Sequence, residues 1–437
     1  MTTDGWAVAP TRRLLIAGFA CVLLGSAAVL FWVIPSGQIE LSTYYGVGFA
    51  DDYDDLAISL VNGHGYRFSP DTAPTMMREP GYPVFLAAIF SVFGHNLTAV
   101  RVANLMLALA SALLLMHLAR RVSGSPFVAA VAPLLFLAHP GVIVAESRGG
   151  VEILFILFLI AFMILYDAAL RSGRTWTYLA AGAVLGAAIL IRSTPILFPL
   201  FLGAHAAFSG AGGGPRWGRI GRMALLGVAA LLVMTPWIVR NYRLVGRLVP
   251  TATVQGVAAH AGQQICKNLS FDRSFQQLDT AAGLERARLA ASMGYRFRGG
   301  YYQYFFSSRD EYAFNGQLLS RVIGEYRDRP LLLAKCASAN LLFNFWFAGK
   351  NWSVTAFNVL VQLPYLLLAA AGAYGLRKRG HLGRAVPIAL LIVYLAGVHA
   401  PILAQARYSV PAVPFLSIFA AAALAPLVSR WRAAKIA

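Results

Sequence analysis

Long apolar runs recur along this chain, and they constrain its fold more than any motif does. The first run, Leu14 to Ile34, is about as long as a helix that crosses a bilayer. Because 58% of the residues are hydrophobic and 13% are charged, too few polar residues remain to cover the surface of a soluble domain. The sequence therefore predicts an all-α polytopic membrane protein. The first run lacks the cleavage signature of a removed signal peptide, so we expect it to stay as the first helix.

Clusters of basic residues predict how these helices are oriented. The clusters are Arg12 and Arg13, Arg120 and Arg121, Arg171 and Arg174, Arg216 to Arg222, Arg377 to Arg384, and Arg430 to Lys435. Asp4 is the only acid in the polar segments that hold these clusters. The positive-inside rule places such segments in the cytoplasm. The formal net charge of +19 is then a consequence of topology, and it does not call for a nucleic-acid partner.

About ten membrane crossings place every basic segment inside and both termini in the cytoplasm. The predicted spans are 14–34, 97–119, 126–144, 151–170, 177–191, 195–208, 222–240, 355–376, 385–401 and 408–428. Spans 177–191 and 195–208 are short, and a hairpin that does not fully cross is the alternative for them. Two further apolar stretches, Tyr82 to Phe93 and Leu331 to Phe347, are expected to be interfacial outer helices, because one more crossing would turn a basic segment outward.

Two large loops are predicted on the outer side. The first long loop runs from Pro35 to about Asn96, within an N-terminal transmembrane module of residues 1–240. The second long loop covers residues 241–330, and residues 331–437 form a C-terminal interfacial helix and transmembrane module. Within the second long loop, residues 280–293 favour a short surface helix. Cys266 and Cys336 would both lie outside and could pair in an oxidising compartment, although nothing in the sequence fixes their distance.

The first long loop carries four aspartates within five residues, Asp51-Asp52-Tyr53-Asp54-Asp55. Ionisable groups at the membrane boundary are costly to desolvate, so they are candidates for function. Other charged residues predicted at the same outer face are Arg78, Glu79, Glu146, Arg148, Glu152, Arg192, Arg240 and Arg407. Such a set suits an anionic headgroup that is held by guanidinium groups beside a carboxylate that accepts a proton.

In order and topology these motifs resemble the GT-C superfamily of membrane glycosyltransferases, in particular the branch related to protein O-mannosyltransferases and to the aminoarabinose transferase of lipid A. The motifs are the acidic cluster, the turn at Gly63-His64-Gly65-Tyr66, the segment Arg78-Glu79-Pro80-Gly81-Tyr82-Pro83, the helix end from Thr235 to Tyr242, and Arg407-Tyr408 near the last helix. The resemblance implies an enzyme that takes a sugar from a polyprenyl-phosphate carrier. It would pass the sugar, with inversion at the anomeric carbon, to an acceptor hydroxyl on the outer side of a bacterial inner (plasma) membrane.

The resemblance also implies roles for individual residues. Asp51 or Asp52 would be the base, and Glu152 would be a further catalytic carboxylate. The donor phosphate would be bound by Arg240, Arg407 and Arg192. A substrate loop would be formed by Arg78, Glu79, Tyr82 and His64. Arg240 and Arg407 have a structural alternative as interfacial anchors, and Arg78 with Glu79 as a local pair that fixes the turn.

The register of the acidic cluster leaves the choice of base open. In the family the catalytic Asp usually precedes a Tyr by about four residues, whereas Tyr53 directly follows Asp52. Asp54 or Asp55 is the alternative base, but both would begin a surface helix, where acids favour the helix dipole.

Cofactor and acceptor are less well specified by the sequence. Members of the superfamily differ in whether a divalent metal assists, and no ligand spacing here specifies one; His64 fits a turn better than a metal site. The acceptor, whether glycan, lipid or protein, and the sugar itself are not indicated. A transporter or lipid flippase is the alternative function, but the acids lie at the outer face rather than at the midplane, and no pair of broken helices marks two equivalent halves.

Overall fold

The structure, a computed structural model, describes residues 12–33, 51–209, 215–269, 274–299 and 302–436. Up to the second long loop its helices are α1 Arg12–Ala28, α2 Tyr53–Val61, α3 Gly81–Phe93, α4 Leu97–Ser123, α5 Pro126–Leu137, α6 Pro140–Ser147, α7 Glu152–Ser172, α8 Thr175–Ile191, α9 Phe198–Ser209 and α10 Arg216–Val245. Then follow α11 Gln255–Asn268, α12 Phe275–Ser292, strands β1 Phe297–Arg298 and β2 Tyr304–Phe305, α13 Ser308–Asp328, α14 Pro330–Ala339, α15 Phe345–Phe347, α16 Trp352–Lys378, α17 Leu382–His399 and α18 Val413–Ile436. Short segments of π-helix (Val29–Val33, Asn340–Asn344) and of 3-10 helix (Thr194–Leu197, Ala406–Ala412) extend or connect them.

Within the described residues, six helical segments are long and apolar enough to cross a membrane. They are Leu97–Ser123, Glu152–Ser172, Arg216–Val245, Trp352–Lys378, Leu382–His399 and Ala406–Leu427. A seventh crossing is formed if α5 and α6 count as one span, bent by 53°. The other predicted spans occur as shorter apolar helices, Gly18–Phe31, Thr175–Ile191 and Thr194–Ser209. The polytopic all-α fold is confirmed, whereas the count of about ten crossings stays a prediction.

The bend between α5 and α6 has a local cause. Pro140 is the first residue of α6 and has no N–H to continue the helix before it. His139 caps the new helix, because its Nδ1 accepts a hydrogen bond of 3.1 Å from the Gly141 N–H. The chain therefore changes direction at this point, and the second half of the span ends beside the charged residues of the first long loop.

Glycine allows two of the long helices to pack very closely. A Cβ atom at Gly182 in α8 would lie 2.1 Å from the carbonyl oxygen of Leu226 in α10, and one at Gly186 would lie 2.5 Å from that of Ala230. Small residues four positions apart are the usual means of close helix contact in a membrane, where apolar burial between helices gives little driving force. Larger side chains here would separate α8 from α10.

Three of the segments that were predicted to be cytoplasmic lie together at one end of the helix bundle. Arg121 at the end of α4 and Arg171 at the end of α7 both form ion pairs with Asp167. Arg222 of α10 donates a hydrogen bond of 3.3 Å to the Gly173 carbonyl. The aspartate motif lies at the opposite end of α4 and α7, so the structure separates the basic segments from the candidate site.

The two apolar stretches that were expected to lie on the membrane surface are both helical. The first is α3, and the second comprises α14, a π-helical turn and α15. Their position relative to a bilayer stays a prediction.

The second long loop folds mainly into helices α11, α12 and α13. The predicted helix at 280–293 is part of α12, which begins earlier because Ser274 and Gln277 form a reciprocal capping box. The β1–β2 hairpin was not predicted; it pairs Phe297 with Phe305 and Arg298 with Tyr304. The Cys266–Cys336 disulfide is formed and links α11 to α14.

Candidate active site

Two adjacent aspartates begin the site with an unusual backbone. Asp51 and Asp52 have φ values of 59° and 58°, and in the described residues they are the only non-glycine residues with positive φ. The left-handed region is unfavourable for most L-residues, although Asp tolerates it better than most. Strained backbone of this kind is often found at functional sites. Here it precedes α2 directly, and the two carboxylates meet different partners.

Asp51 is held by groups from three distant parts of the chain. Its carboxylate lies 3.2 Å from Nη1 of Arg407 and 3.8 Å from Nη2 of Arg78. It also accepts a hydrogen bond of 3.1 Å from the Tyr302 hydroxyl. Burial opposes ionisation, but Arg407 and then Arg78 outweigh it, so the pKa of Asp51 lies well below its usual range. Asp51 is therefore ionised at neutral pH.

Asp52 has a different environment. The Tyr304 hydroxyl donates a hydrogen bond to it, and Arg78 acts on it only as a lesser electrostatic neighbour. Burial is the largest effect and raises the pKa of Asp52 above its usual value. Both aspartates are thus in contact with tyrosines of the hairpin region in the second long loop.

Asp54 and Asp55 lie in the first turn of α2, as the sequence predicted. Asp54 contacts His95 at 3.1 Å, and Asp55 is exposed. Although the residue as a whole is exposed, its carboxylate is partly desolvated, and this desolvation together with repulsion from Asp54 raises the pKa of Asp55 to about 6. Neither residue lines a described cavity.

A cavity of about 410 Å³ joins Asp51 to the other charged candidates. Residues on its wall include Asp51, Arg78, Glu79, Glu152, Arg192, Tyr302, His399, Arg407 and Tyr408. A second cavity of about 370 Å³ shares Glu152 and Arg407 with the first and is otherwise largely apolar, with side chains from the π-helical turn after α1, from α6 and from α16. The two cavities therefore meet at one acid and one arginine.

Two arginines on the cavity wall have buried N–H groups that donate no hydrogen bond within the described part of the chain. Among the described residues, Nε and Nη2 of Arg78 and Nε of Arg407 are buried without a hydrogen-bond partner. Arg192 lies 4.0 Å from the carboxylate of Glu152. The guanidinium groups of Arg192 and Arg407 lie 4.8 Å and 5.0 Å from the ring centre of Tyr408. Unused guanidinium donors beside a charged cavity suit a bidentate anion such as phosphate.

The segment Arg78 to Tyr82 is fixed by its own contacts. The Tyr66 hydroxyl donates hydrogen bonds to the carbonyls of Arg78 (3.1 Å) and Glu79 (2.9 Å). The Glu79 carboxylate accepts one of 3.1 Å from the Ser193 N–H. Tyr82 is fully buried, off the cavity, and contacts Tyr53 edge-on at 5.2 Å. Arg78 and Glu79 therefore do not pair with each other, as the structural alternative had it. Arg78 contacts Asp51, and Glu79 contacts Ser193.

The structure does not bring Arg240 or His64 to this cavity. Arg240 donates hydrogen bonds to the carbonyls of Thr75 (2.8 Å) and Tyr66 (3.3 Å) and lies 4.4 Å from the Trp237 ring. It also donates a hydrogen bond of 3.0 Å to Oδ1 of Asn241. Arg240 therefore holds the first long loop against the end of α10, and its guanidinium group is engaged there. His64 is an exposed residue of the turn after α2.

Glu146 is likewise off both cavities. It is fully buried in α6, and neither carboxylate oxygen has a hydrogen-bond partner among the described residues. Neither oxygen therefore accepts a hydrogen bond from Arg148, although the two residues are close in the sequence. The Arg148 carbonyl accepts a hydrogen bond of 2.9 Å from Asn104.

Sequence reasoning missed several residues that shape the site. Glu311 in α13 is buried and accepts hydrogen bonds from Thr75 Oγ1 (2.6 Å), the Met76 N–H (2.9 Å) and Thr253 Oγ1 (2.8 Å). It joins the two long loops, and no sequence signal marked it. Tyr302 and Tyr304, from an aromatic part of the second long loop, donate hydrogen bonds to Asp51 and Asp52.

The described residues contain no group of three or more His, Cys, Asp or Glu side chains that could hold a metal ion.

Part of the chain matches a known protein family by sequence. Residues 74–239 match the family described as dolichyl-phosphate-mannose-protein mannosyltransferase. The matched region holds Arg78, Glu79, Glu152 and Arg192, whereas Asp51 and Arg407 lie outside it. No curated protein matches the chain by sequence.

Solved structures add a likeness in fold. The apo oligosaccharyltransferase of Archaeoglobus fulgidus aligns with 97% of this chain at a TM-score of 0.55 and 13% identity, and this chain spans 52% of its length. ArnT from Cupriavidus metallidurans, solved with undecaprenyl phosphate, aligns with 94% of this chain and 78% of its own at a TM-score of 0.41 and 16% identity, which by itself does not establish a common fold. The family match agrees with the predicted resemblance over residues 74–239, and the likeness to the oligosaccharyltransferase extends a similar fold over nearly the whole chain.

Proposed function

We propose that this protein transfers a sugar from a polyprenyl-phosphate-linked donor to an acceptor hydroxyl, at the end of the bundle opposite the basic segments. One observation carries the proposal. Asp51, Arg407, Glu152 and Arg192, which are far apart in the sequence, lie on one cavity. A carboxylate beside several arginines is the arrangement that the reaction needs, because a proton must be accepted while a phosphate leaves.

The donor phosphate would bind to Arg407 and Arg78. Both line the cavity and both have buried donor atoms without hydrogen-bond partners among the described residues. Arg192 adds a third positive charge to the wall. Arg240, expected from the sequence to share this role, is not part of the proposal because its donors are occupied by Thr75 and Tyr66. The neighbouring apolar cavity would take the start of the polyprenyl chain.

In the reaction, the acceptor oxygen forms a bond to the anomeric carbon as the bond from that carbon to the phosphate oxygen breaks. The bonding electrons leave with the polyprenyl phosphate, whose charge Arg407 and Arg78 stabilise. The proton of the acceptor hydroxyl passes to Asp51. Attack from the side opposite the leaving phosphate gives inversion.

Asp51 becomes a better base when the donor is bound. In the free protein its two arginines hold its pKa low, which makes it a weak proton acceptor. A phosphate that engages Arg407 and Arg78 adds negative charge next to Asp51 and competes for the same donors. The pKa of Asp51 would rise as a result, so donor binding would prepare the base for the acceptor.

The disulfide supports an outer position for the site. Cys266 and Cys336 lie in α11 and α14, and α11 contributes Val257, Ala258 and Ala261 to the cavity wall. Disulfides persist in oxidising compartments and are rare in the cytosol. The same membrane orientation follows from the positive-inside rule, which places the basic segments in the cytoplasm.

The test uses the purified chain in liposomes with a panel of polyprenyl-phosphate-linked sugars, and it measures release of free polyprenyl phosphate. Asp51→Asn is expected to lower the rate at least about a hundredfold, since general-base catalysis contributes roughly 10²–10⁴. Asp54→Asn is the matched control, because it makes the same change three residues away and off the cavity. Full activity of Asp51→Asn would sink the assignment of the base. Donor movement across the bilayer without sugar release would instead favour the flippase alternative.

A further inference from the structure

A separate cavity of about 200 Å³ lies at the basic end of the bundle, far from Asp51. It is enclosed by four helices, α4, α7, α9 and α17. Leu118 and Val122 of α4, Met163 of α7 and Ile388 of α17 give it an apolar wall. The proposed sugar transfer does not use this cavity.

Polar groups in the same wall are left without partners. Tyr166 is fully buried, and its hydroxyl has no hydrogen-bond partner among the described residues. Nδ1 of His205 is also buried and unpartnered in this part of the chain. Both residues line the cavity. Leaving a buried polar group unpaired is unfavourable, so both atoms indicate a polar ligand in the cavity. The Tyr166 hydroxyl can donate a hydrogen bond to it, and Nδ1 of His205 can donate in the tautomer that carries the proton there.

The electrostatics favour an anion as that acceptor. Arg171 and Arg384 both line the cavity, against a single carboxylate, Asp167. Asp167 is already neutralised by ion pairs with Arg121 and Arg171. In addition, α17 begins at Leu382 without a side-chain cap, so the positive end of its dipole adds to the field near Arg384.

We propose that this cavity binds the phosphate headgroup of an anionic phospholipid, with an acyl chain along the apolar wall. The Arg384 guanidinium and the Tyr166 hydroxyl would donate hydrogen bonds to the phosphate. A lipid fits better than a free phosphate because the cavity lies between apolar helices and most of its wall is apolar. Basic pockets between helices at the cytoplasmic side of a membrane are suited to such headgroups.

The experiment measures binding of phosphatidylglycerol to the full-length protein in detergent, with phosphatidylcholine and inorganic phosphate as separate arms. Arg384→Gln is expected to weaken phosphatidylglycerol binding roughly tenfold, as loss of a charge-assisted hydrogen bond does. Tyr166→Phe is expected to weaken it roughly two- to tenfold. Arg377→Gln is the matched control, because it removes the same charge from the same basic segment but lies off the cavity, and its affinity is expected to equal that of the wild type.

Three results would overturn the proposal. Arg384→Gln and Arg377→Gln could bind phosphatidylglycerol equally well, which would mean that the interaction is one of overall charge. Phosphatidylcholine could bind as tightly as phosphatidylglycerol. Inorganic phosphate could displace the lipid completely at millimolar concentration, which would point to a free anion as the ligand. The melting temperature of each variant in detergent shows whether it is folded.

Discussion

Replacing Glu311 with alanine is expected to release the first long loop from the second. The Glu311 side chain is buried, and its three hydrogen bonds come from Thr75 and Met76 in one loop and from Thr253 in the other. Thr75 and Met76 directly precede Met77 and Arg78. These hydrogen bonds therefore fix the segment that positions Arg78 at the cavity wall. Loss of the carboxylate leaves three buried donors unpaired.

The magnitude follows from the number of bonds. A hydrogen bond to a charged acceptor contributes roughly 1.5–3 kcal/mol net, so three bonds set an upper limit of about 5–9 kcal/mol. The cost of burying the carboxylate itself offsets several kcal/mol of this. We therefore expect Glu311→Ala to destabilise the joined loops by roughly 3–5 kcal/mol, near the upper end for single substitutions. Local opening would then be roughly 150- to 4,000-fold more frequent.

Amide hydrogen exchange, followed by mass spectrometry in detergent, measures this opening directly. The Met76 N–H donates to Glu311, and the Thr253 N–H donates to the Met76 carbonyl at 2.8 Å, so both amides should exchange faster by the factor above. Glu325→Ala is the control: it lies in the same helix but forms partly exposed ion pairs with Lys267 and Arg329, which contribute little. Exchange at Met76 within about threefold of the wild type in Glu311→Ala would refute the reasoning.

Two further predictions concern stability. Because burial and Asp54 raise the pKa of Asp55 to about 6, the folded state binds its proton more tightly than the unfolded state, and stability falls as pH rises from about 4 to about 6. Asp55→Asn should therefore raise the melting temperature at about pH 8 and leave it unchanged at about pH 4, and an equal gain at both would contradict the prediction. The Cys266–Cys336 disulfide spans 70 residues, a loop for which closure is worth about 4 kcal/mol. Replacing both cysteines with serine should lower the melting temperature by several degrees, whereas Cys21→Ser, at the exposed free cysteine, should not.

Several features of the fold could be predicted because they depend on local sequence. Apolar runs of spanning length are helices in the structure, and the acids after Tyr53 begin α2. Helix boundaries differ from the predicted ones where a side chain caps the helix. Ser274 caps α12, which therefore begins at Phe275, five residues before the predicted start at residue 280. The hairpin at Tyr304 was missed because its two strands of two residues each are too short to show a period.

The candidate site could be predicted only in part. Arg240 and Arg407 look alike in the sequence, since each lies near a helix end among aromatic residues. In the structure Arg407 contacts Asp51, 356 residues away, whereas Arg240 contacts the Thr75 and Tyr66 carbonyls. No local pattern distinguishes them, because the partner of an arginine is set by where distant segments meet.

Hydropathy and charge were enough to predict a polytopic membrane protein, with basic segments on one side of the membrane and an acidic motif in an outer loop. Hydropathy and charge are properties of each residue, and the bilayer sorts segments by their sum. The tertiary structure decided which of four aspartates lies on the cavity, which arginines have free donors there, and that Cys266 pairs with Cys336. These are contacts between segments far apart in the chain, and their energies depend on distance, burial and neighbouring charge, which exist only once the helices have packed.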